Sequence, residues 1–191
     1  DEEIALKGGR GEWQGAHDAD GDGRIDLNSE YNFGHSQNAG KRDHGARIAT
    51  HLSENTFEAF LAGRALISAV AGPLDATQMA ELRGYRDTIV ANWERAIAAT
   101  LVHYINEVLG DMDAFGSAEY SFRDHAKHWS ELKGFSLALQ MNPHHSPLSA
   151  GDHRALQDWI QQKPVLSNAT NSEQEDYRKA LLEARGHLQN A

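Results

Sequence analysis

The sequence predicts an all-α protein, and three observations support this fold class. Alanine and leucine are abundant, and just four prolines interrupt 191 residues, which favours helix over strand. Apolar side chains recur at three- and four-residue steps in several long stretches, and turn-forming residues separate these stretches. We therefore expect a bundle of about five helices at residues 41–191, behind a loop region at residues 1–40.

The loop region is rich in glycine, asparagine and aspartate and has no sustained apolar period, so we expect its order to depend on a bound ion. A first helix is predicted at residues 42–70, where Gly72 and Pro73 follow. A second helix begins near Thr77, which can cap it, and runs about nine turns to Gly110.

Three further helices complete the predicted bundle. One covers residues 117–141 and ends at an Asn-Pro step. Ser149 caps a shorter helix, and the last helix begins near Ser172 with Glu175 in the capping-box position.

Charge and composition exclude several classes of partner. The net charge is −10, so a nucleic-acid backbone has no electrostatic attraction to this chain. No apolar run approaches the roughly 18 residues needed for a transmembrane helix, and the acidic start is unlike a signal peptide. Cysteine is absent, so any metal must bind to oxygen or imidazole ligands.

A calcium-type loop is the most specific motif. Asp18, Asp20 and Asp22 alternate, Gly23 takes the sixth position and Asp26 the ninth, as in an EF-hand. Alternate carboxylates converge on a hard cation, while glycine permits the sharp bend. The predicted calcium ligands are Asp18, Asp20, Asp22, Arg24 through its carbonyl, Asp26 and Glu30.

This loop departs from a regulatory EF-hand at its end. Ser29 occupies the twelfth position, Glu30 comes one residue late, and no helical pattern clearly precedes the loop. We expect a single loop that clamps a segment, as in secreted proteins. The alternative is an ion-free surface turn, which would crowd four like charges together.

A second metal site is a weaker hypothesis, based on histidines at helical spacing. His125, His128 and Glu131 follow at three-residue steps on the apolar side of their predicted helix, and His51 and Glu54 repeat the His-x-x-Glu pattern. Facing helices can build a metal site from such elements, with iron or zinc as the candidate ion. The candidate ligands are His51, Glu54, His125, His128 and Glu131. Alternatively, the histidines are hydrogen-bonded core residues.

Part of the chain resembles a known family. The run from His125 to Phe135, with the following Leu-Gln-Met-Asn-Pro, is similar to an uncharacterised bacterial family of secreted lipoproteins related to imelysin, and the resemblance covers residues 42–159. It implies an imelysin-like helical bundle, a periplasmic or cell-surface location and a link to iron. His128 and Glu131 match the His-x-x-Glu part of the imelysin motif, although Ala126 replaces its glycine.

Family members are about twice as long, so this chain resembles their C-terminal half, and an N-terminal half or a second subunit is an implied partner. The sequence thus favours an extracytoplasmic metal-binding domain that is not an enzyme. The alternatives are a metal-dependent hydrolase, in which His51, His128 and Glu131 hold the ion and Glu54 or Glu58 is the base, or a non-catalytic binding module. Motifs for nucleophilic catalysis are absent.

Overall fold

The computed structural model of the protein describes residues 21–24, 34–45, 49–142 and 145–190. These ranges contain six helices and no strand, which confirms the all-α class. The chain divides into two compact units, Asp1–Ala96 and Ile97–Ala191. Across the described ranges, none of the helices combines the length and the apolar character that crossing a membrane requires.

The first unit contains α1 (Gly34–Gly45), α2 (Leu52–Ser68) and the first part of α3 (Ala76–Asp113). The sequence predicted no helix before residue 42, because the glycines and polar side chains of α1 give no apolar stripe. The single helix predicted at residues 42–70 is also wrong, since α1 and α2 are separate elements.

Asp43 explains where α2 begins. Its carboxylate accepts hydrogen bonds from the backbone N–H groups of Leu52 and Ser53, each at 2.9 Å, and from the hydroxyls of Thr50 and Ser53 at 2.7 and 2.5 Å. His51 is the N-cap residue of α2, but its side chain makes no capping hydrogen bond. The first turn of α2 is therefore capped from α1, a contact that no local pattern encodes.

Helix α3 begins two residues earlier than its predicted cap at Thr77 would allow. Asp75 Oδ1 accepts from the Gln78 N–H at 2.8 Å, and Gln78 Oε1 accepts from the Asp75 N–H at 3.0 Å. This reciprocal pair is a capping box, so Asp75 caps α3. The helix continues through Gly110, where the prediction ended it, to Asp113.

The second unit packs the remainder of α3 against α4 (Phe122–Ala138), α5 (Ala150–Ile160) and α6 (Asn171–Gln189). The Ile160 carbonyl at the end of α5 accepts hydrogen bonds from the Tyr177 hydroxyl at 3.1 Å and from Trp129 Nε1 at 3.3 Å. Fully buried side chains from all four helices form the core: Leu101, Ile105, Val108, Leu132, Leu156, Ile160, Tyr177 and Leu181.

Local caps set the starts of these helices. Ser149 caps α5, as predicted, by accepting a hydrogen bond from the Asp152 N–H. Helix α4 starts later than predicted, after the N-cap Ser121. Helix α6 starts at Asn171, after Thr170, which forms a capping box with Glu173, so the cap lies two residues before the predicted Ser172.

Candidate functional site

The calcium-type loop is described at its centre. Gly21 and Gly23 have φ angles of +75° and +80°, and the Arg24 N–H donates to Asp22 Oδ1 at 2.8 Å. A positive φ at the sixth position is the conformation that makes glycine favourable there. The remaining predicted calcium ligands lie outside the described residues: Asp18, Asp20, Asp26 and Glu30.

His51 and Glu54 form an exposed pair in the first unit. The Glu54 carboxylate accepts a hydrogen bond from His51 Nδ1 at 2.8 Å, and the two side chains are 62% and 49% exposed. Glu58, the other candidate base, is exposed as well. Water therefore screens this pair and competes with any ligand that binds there.

His128 is held differently, in the second unit. Its Nδ1 donates to Asp111 Oδ2 at 2.8 Å, and the two side chains are only 19% and 16% exposed. The bond joins α4 to the last turn of α3. It fixes the orientation of the imidazole ring and leaves Nε2, which makes no hydrogen bond to any described residue, as the nitrogen available to a ligand.

Asp111 is the residue that the sequence analysis missed. The sequence predicts that the second helix ends at Gly110, which places Asp111 beyond the helix. Because α3 continues to Asp113, Asp111 occupies a regular helical position that packs beside α4. The role of Asp111 could be predicted only if the helix were known to extend to Asp113. The apolar pattern of the sequence does not define that end.

His125 is fully buried, as its place on the apolar side of α4 predicts. The Tyr120 hydroxyl lies 3.2 Å from its Nδ1, while its buried Nε2 has no hydrogen-bond partner among the described residues. Burial lowers the pKa of His125, the nearby Asp111 carboxylate opposes this effect, and His128 adds to it. The net lowered pKa favours a neutral imidazole at pH 7.

Glu131 lies three residues after His128 on α4. In the described ranges its Oε2 is buried and has no hydrogen-bond partner. An unpaired buried carboxylate oxygen carries a desolvation cost, which a cation or a bound water would remove.

Aromatic rings surround His125 and His128. The Tyr104 ring centroid lies 6.4 Å from that of His128 and 5.7 Å from that of Phe135, on which it stacks. The ring centroids of Phe115 and His125 lie 5.4 Å apart, with the two rings tilted by 39°. Apolar walls of this kind strengthen electrostatic interactions inside the cluster, because they exclude water.

The predicted second-metal residues thus fall into two groups: His51 and Glu54 belong to the first unit, and His125, His128 and Glu131 to the second. Among residues 21–24, 34–45, 49–142 and 145–190, no three His, Asp or Glu side chains are arranged as a metal-binding group. Around His125, His128 and Glu131, the shortest hydrogen bond given above is the one between His128 and Asp111, at 2.8 Å.

Comparisons with protein-family models, with curated proteins and with solved structures each gave no significant match to this chain. The resemblance of residues 42–159 to the imelysin-related lipoproteins therefore stays a prediction.

Proposed function

We propose that this chain is a metal-binding helical domain that works outside the cytoplasm, with calcium held structurally by the Asp18–Asp26 loop. The proposal depends on one observation above all. Gly23 occupies the sixth position of a loop with EF-hand spacing, and its φ of +80° is the bend that this position needs.

The chemistry of the loop favours calcium over other ions. Its side-chain ligands are all carboxylates, and hard oxygen donors suit a cation of high coordination number. Without an ion, four carboxylates within nine positions repel one another. A single loop without the bidentate glutamate suits the weak affinities of extracellular modules, with a Kd of about 10⁻⁴–10⁻³ M.

The location outside the cytoplasm and the imelysin-like bundle are the less direct parts of the proposal. They are supported by the resemblance of residues 42–159 to the secreted lipoproteins and by the higher calcium concentration that a weak loop needs. The same resemblance supports a role connected with iron.

A second metal, iron or zinc, is proposed at His128. The observation that favours it is the bond from His128 Nδ1 to Asp111, because metal-binding histidines commonly donate their other ring nitrogen to a carboxylate. Glu131 and His125 are the candidate further ligands, since each has a buried polar atom without a hydrogen-bond partner among the described residues. Imidazole and carboxylate together suit either ion.

Elemental analysis by mass spectrometry tests both parts of this proposal. Protein purified without chelator and equilibrated with calcium at about 10 mM, well above the expected Kd, is compared with the Asp20→Ala and His128→Ala variants after the metal content of the dialysis buffer is subtracted. We expect calcium to be lost in Asp20→Ala alone, and iron or zinc in His128→Ala alone. Calcium that is retained in Asp20→Ala contradicts the loop site, and iron or zinc content that is unchanged in His128→Ala contradicts the second site.

A further inference from the structure

The first unit carries an open groove between α2 and α3 with a volume of about 520 Å³. Small-molecule sites in proteins range over roughly 300–1,000 Å³, so the groove has the size of a ligand site. It lies in a different unit from His128, and the described residues that line it include none of the proposed metal ligands. A ligand in this groove would therefore be distinct from the second metal proposed at His128.

The groove walls are apolar although they are open to solvent. Phe60 and Ile67 on α2 are 48% and 53% exposed, and the Phe60 ring lies 5.7 Å from that of Trp93 on α3. Beneath the groove, Gly63 of α2 faces Leu82 and Tyr85 of α3, since a Cβ at Gly63 would lie in ordinary van der Waals contact with both side chains, at 3.4 and 3.7 Å. Contiguous exposed apolar surface of this kind commonly marks a binding site.

Among the described residues that line the groove, two are arginines and none is acidic. Arg86 is held by Asp87, with nitrogen–oxygen distances of 2.7 and 2.8 Å. Arg64 makes no hydrogen bond or ion pair within the described ranges. A guanidinium without an acidic partner among the described residues, beside apolar walls, makes the groove complementary to an anion with an apolar body.

We propose that this groove binds an aliphatic monocarboxylate. The alkyl chain lies against Phe60, Ile89 and Trp93, and the carboxylate pairs with the Arg64 guanidinium. A guanidinium can donate two parallel hydrogen bonds to one carboxylate, which gives both charge and directional recognition. Arg64 is the one lining cation without a partner among the described residues, so the groove suits a small ligand with one negative charge. A molecule like a fatty acid has this charge and an apolar chain.

Isothermal titration calorimetry of the full chain with octanoate tests the proposal, with 1-octanol as the neutral ligand of the same chain length. Arg64→Met removes the charge while keeping an apolar stem. Arg83→Met is its matched control, because Arg83 is exposed on α3 and does not line the groove. Ile67→Glu places a carboxylate on an exposed position one turn from Arg64, where it competes with the ligand without disturbing the core.

We expect octanoate to bind more tightly than octanol, and its affinity to fall about tenfold or more in Arg64→Met and Ile67→Glu but not in Arg83→Met. Equal affinities for octanoate and octanol, or an unchanged octanoate affinity in Arg64→Met, would overturn the proposal. Absence of octanoate binding would do so too. Sedimentation as a dimer that Ile67→Glu converts to a monomer would instead assign the groove to a second copy of the chain.

Discussion

His128 Nδ1 and Asp111 Oδ2 lie 2.8 Å apart, although 17 positions separate the two residues along the chain. The carboxylate can only accept, so Nδ1 carries a proton, and in the neutral form of the ring the lone pair is on Nε2. An imidazole oriented in this way is prepared to bind a metal ion or to accept a proton. The pair of His128 and Asp111 is thus the centre of the polar cluster on α4. The sequence predicted a role for His128 but not for Asp111.

The first prediction concerns this pair. Asp111→Asn keeps the size of the side chain but weakens its acceptor, so we expect the affinity for cobalt(II) or zinc at His128 to fall about 10–100-fold. The measurement is a spectrophotometric cobalt titration followed by zinc competition. Asp113→Asn is the control, because Asp113 is 69% exposed and pairs with Arg178 instead. Equal losses in the two variants would mean that Asp111 contributes only general charge.

The second prediction concerns the calcium loop. With a Kd of about 10⁻⁴–10⁻³ M, calcium at about 10 mM should raise the free energy of unfolding by about 1.4–2.7 kcal/mol. Gly23→Ala should reduce this gain, because alanine is strained at a φ of +80°. Among the described residues other than its chain neighbours, no atom lies within 4 Å of the added Cβ, so the strain comes from the backbone. Thermal unfolding with calcium and with chelator measures the difference.

Gly84→Ala is the matched control for that experiment. Gly84 lies inside α3 with open space around it, so alanine there should stabilise the helix by about 0.5–1 kcal/mol and leave the calcium gain intact. A calcium gain that is the same in both variants would argue against the loop as the binding site.

The third prediction distinguishes two capping residues at the start of α6. Thr170→Ala removes the hydroxyl that accepts from the Glu173 N–H, so we expect a loss of about 1 kcal/mol in the free energy of unfolding. Ser172→Ala, at the start that the sequence predicted, should change it by less than about 0.5 kcal/mol. Urea unfolding measures both, and a larger loss in Ser172→Ala would place the helix start there.

The fourth prediction is a pH dependence at Asp43. Partial burial raises the pKa of this carboxyl. Hydrogen bonds from Ser53, Thr50 and Leu52 together lower the pKa by more than burial raises it, so the net pKa lies below its ordinary value. A depressed folded-state pKa stabilises the fold above the unfolded pKa of about 3.9, and this stabilisation is lost as pH falls through the folded value.

Asp43→Asn should therefore destabilise the protein by about 1–3 kcal/mol near neutral pH, and the difference from wild type should shrink below about pH 4. Thermal unfolding of both proteins between about pH 2.5 and pH 7 provides the measurement. Hydrogen exchange locates the loss, which we expect in the first turn of α2. A difference that does not change with pH would exclude the ionised carboxylate as the capping group.

Sequence alone established the helical class and part of the helix boundaries, because both depend on residues that are near one another in the chain. The apolar periods of α3 to α6 predict helices, and Ser149 caps the turn that directly follows it. Local sequence signals do not decide between two neighbouring positions that both carry the same capping pattern. Thr170 with Glu173 and Ser172 with Glu175 both satisfy the capping-box spacing, and only one of them forms.

Tertiary structure decided the contacts between residues far apart in sequence. Asp43 caps α2 from α1, Asp111 orients His128 from α3, and Arg64 lies beside apolar side chains of two helices. Each depends on which faces of two helices meet, and helix packing fixes this through the shapes of the side chains at the contact. The period of a sequence tells which side of a helix is apolar, but not which polar residue at its edge will meet a partner.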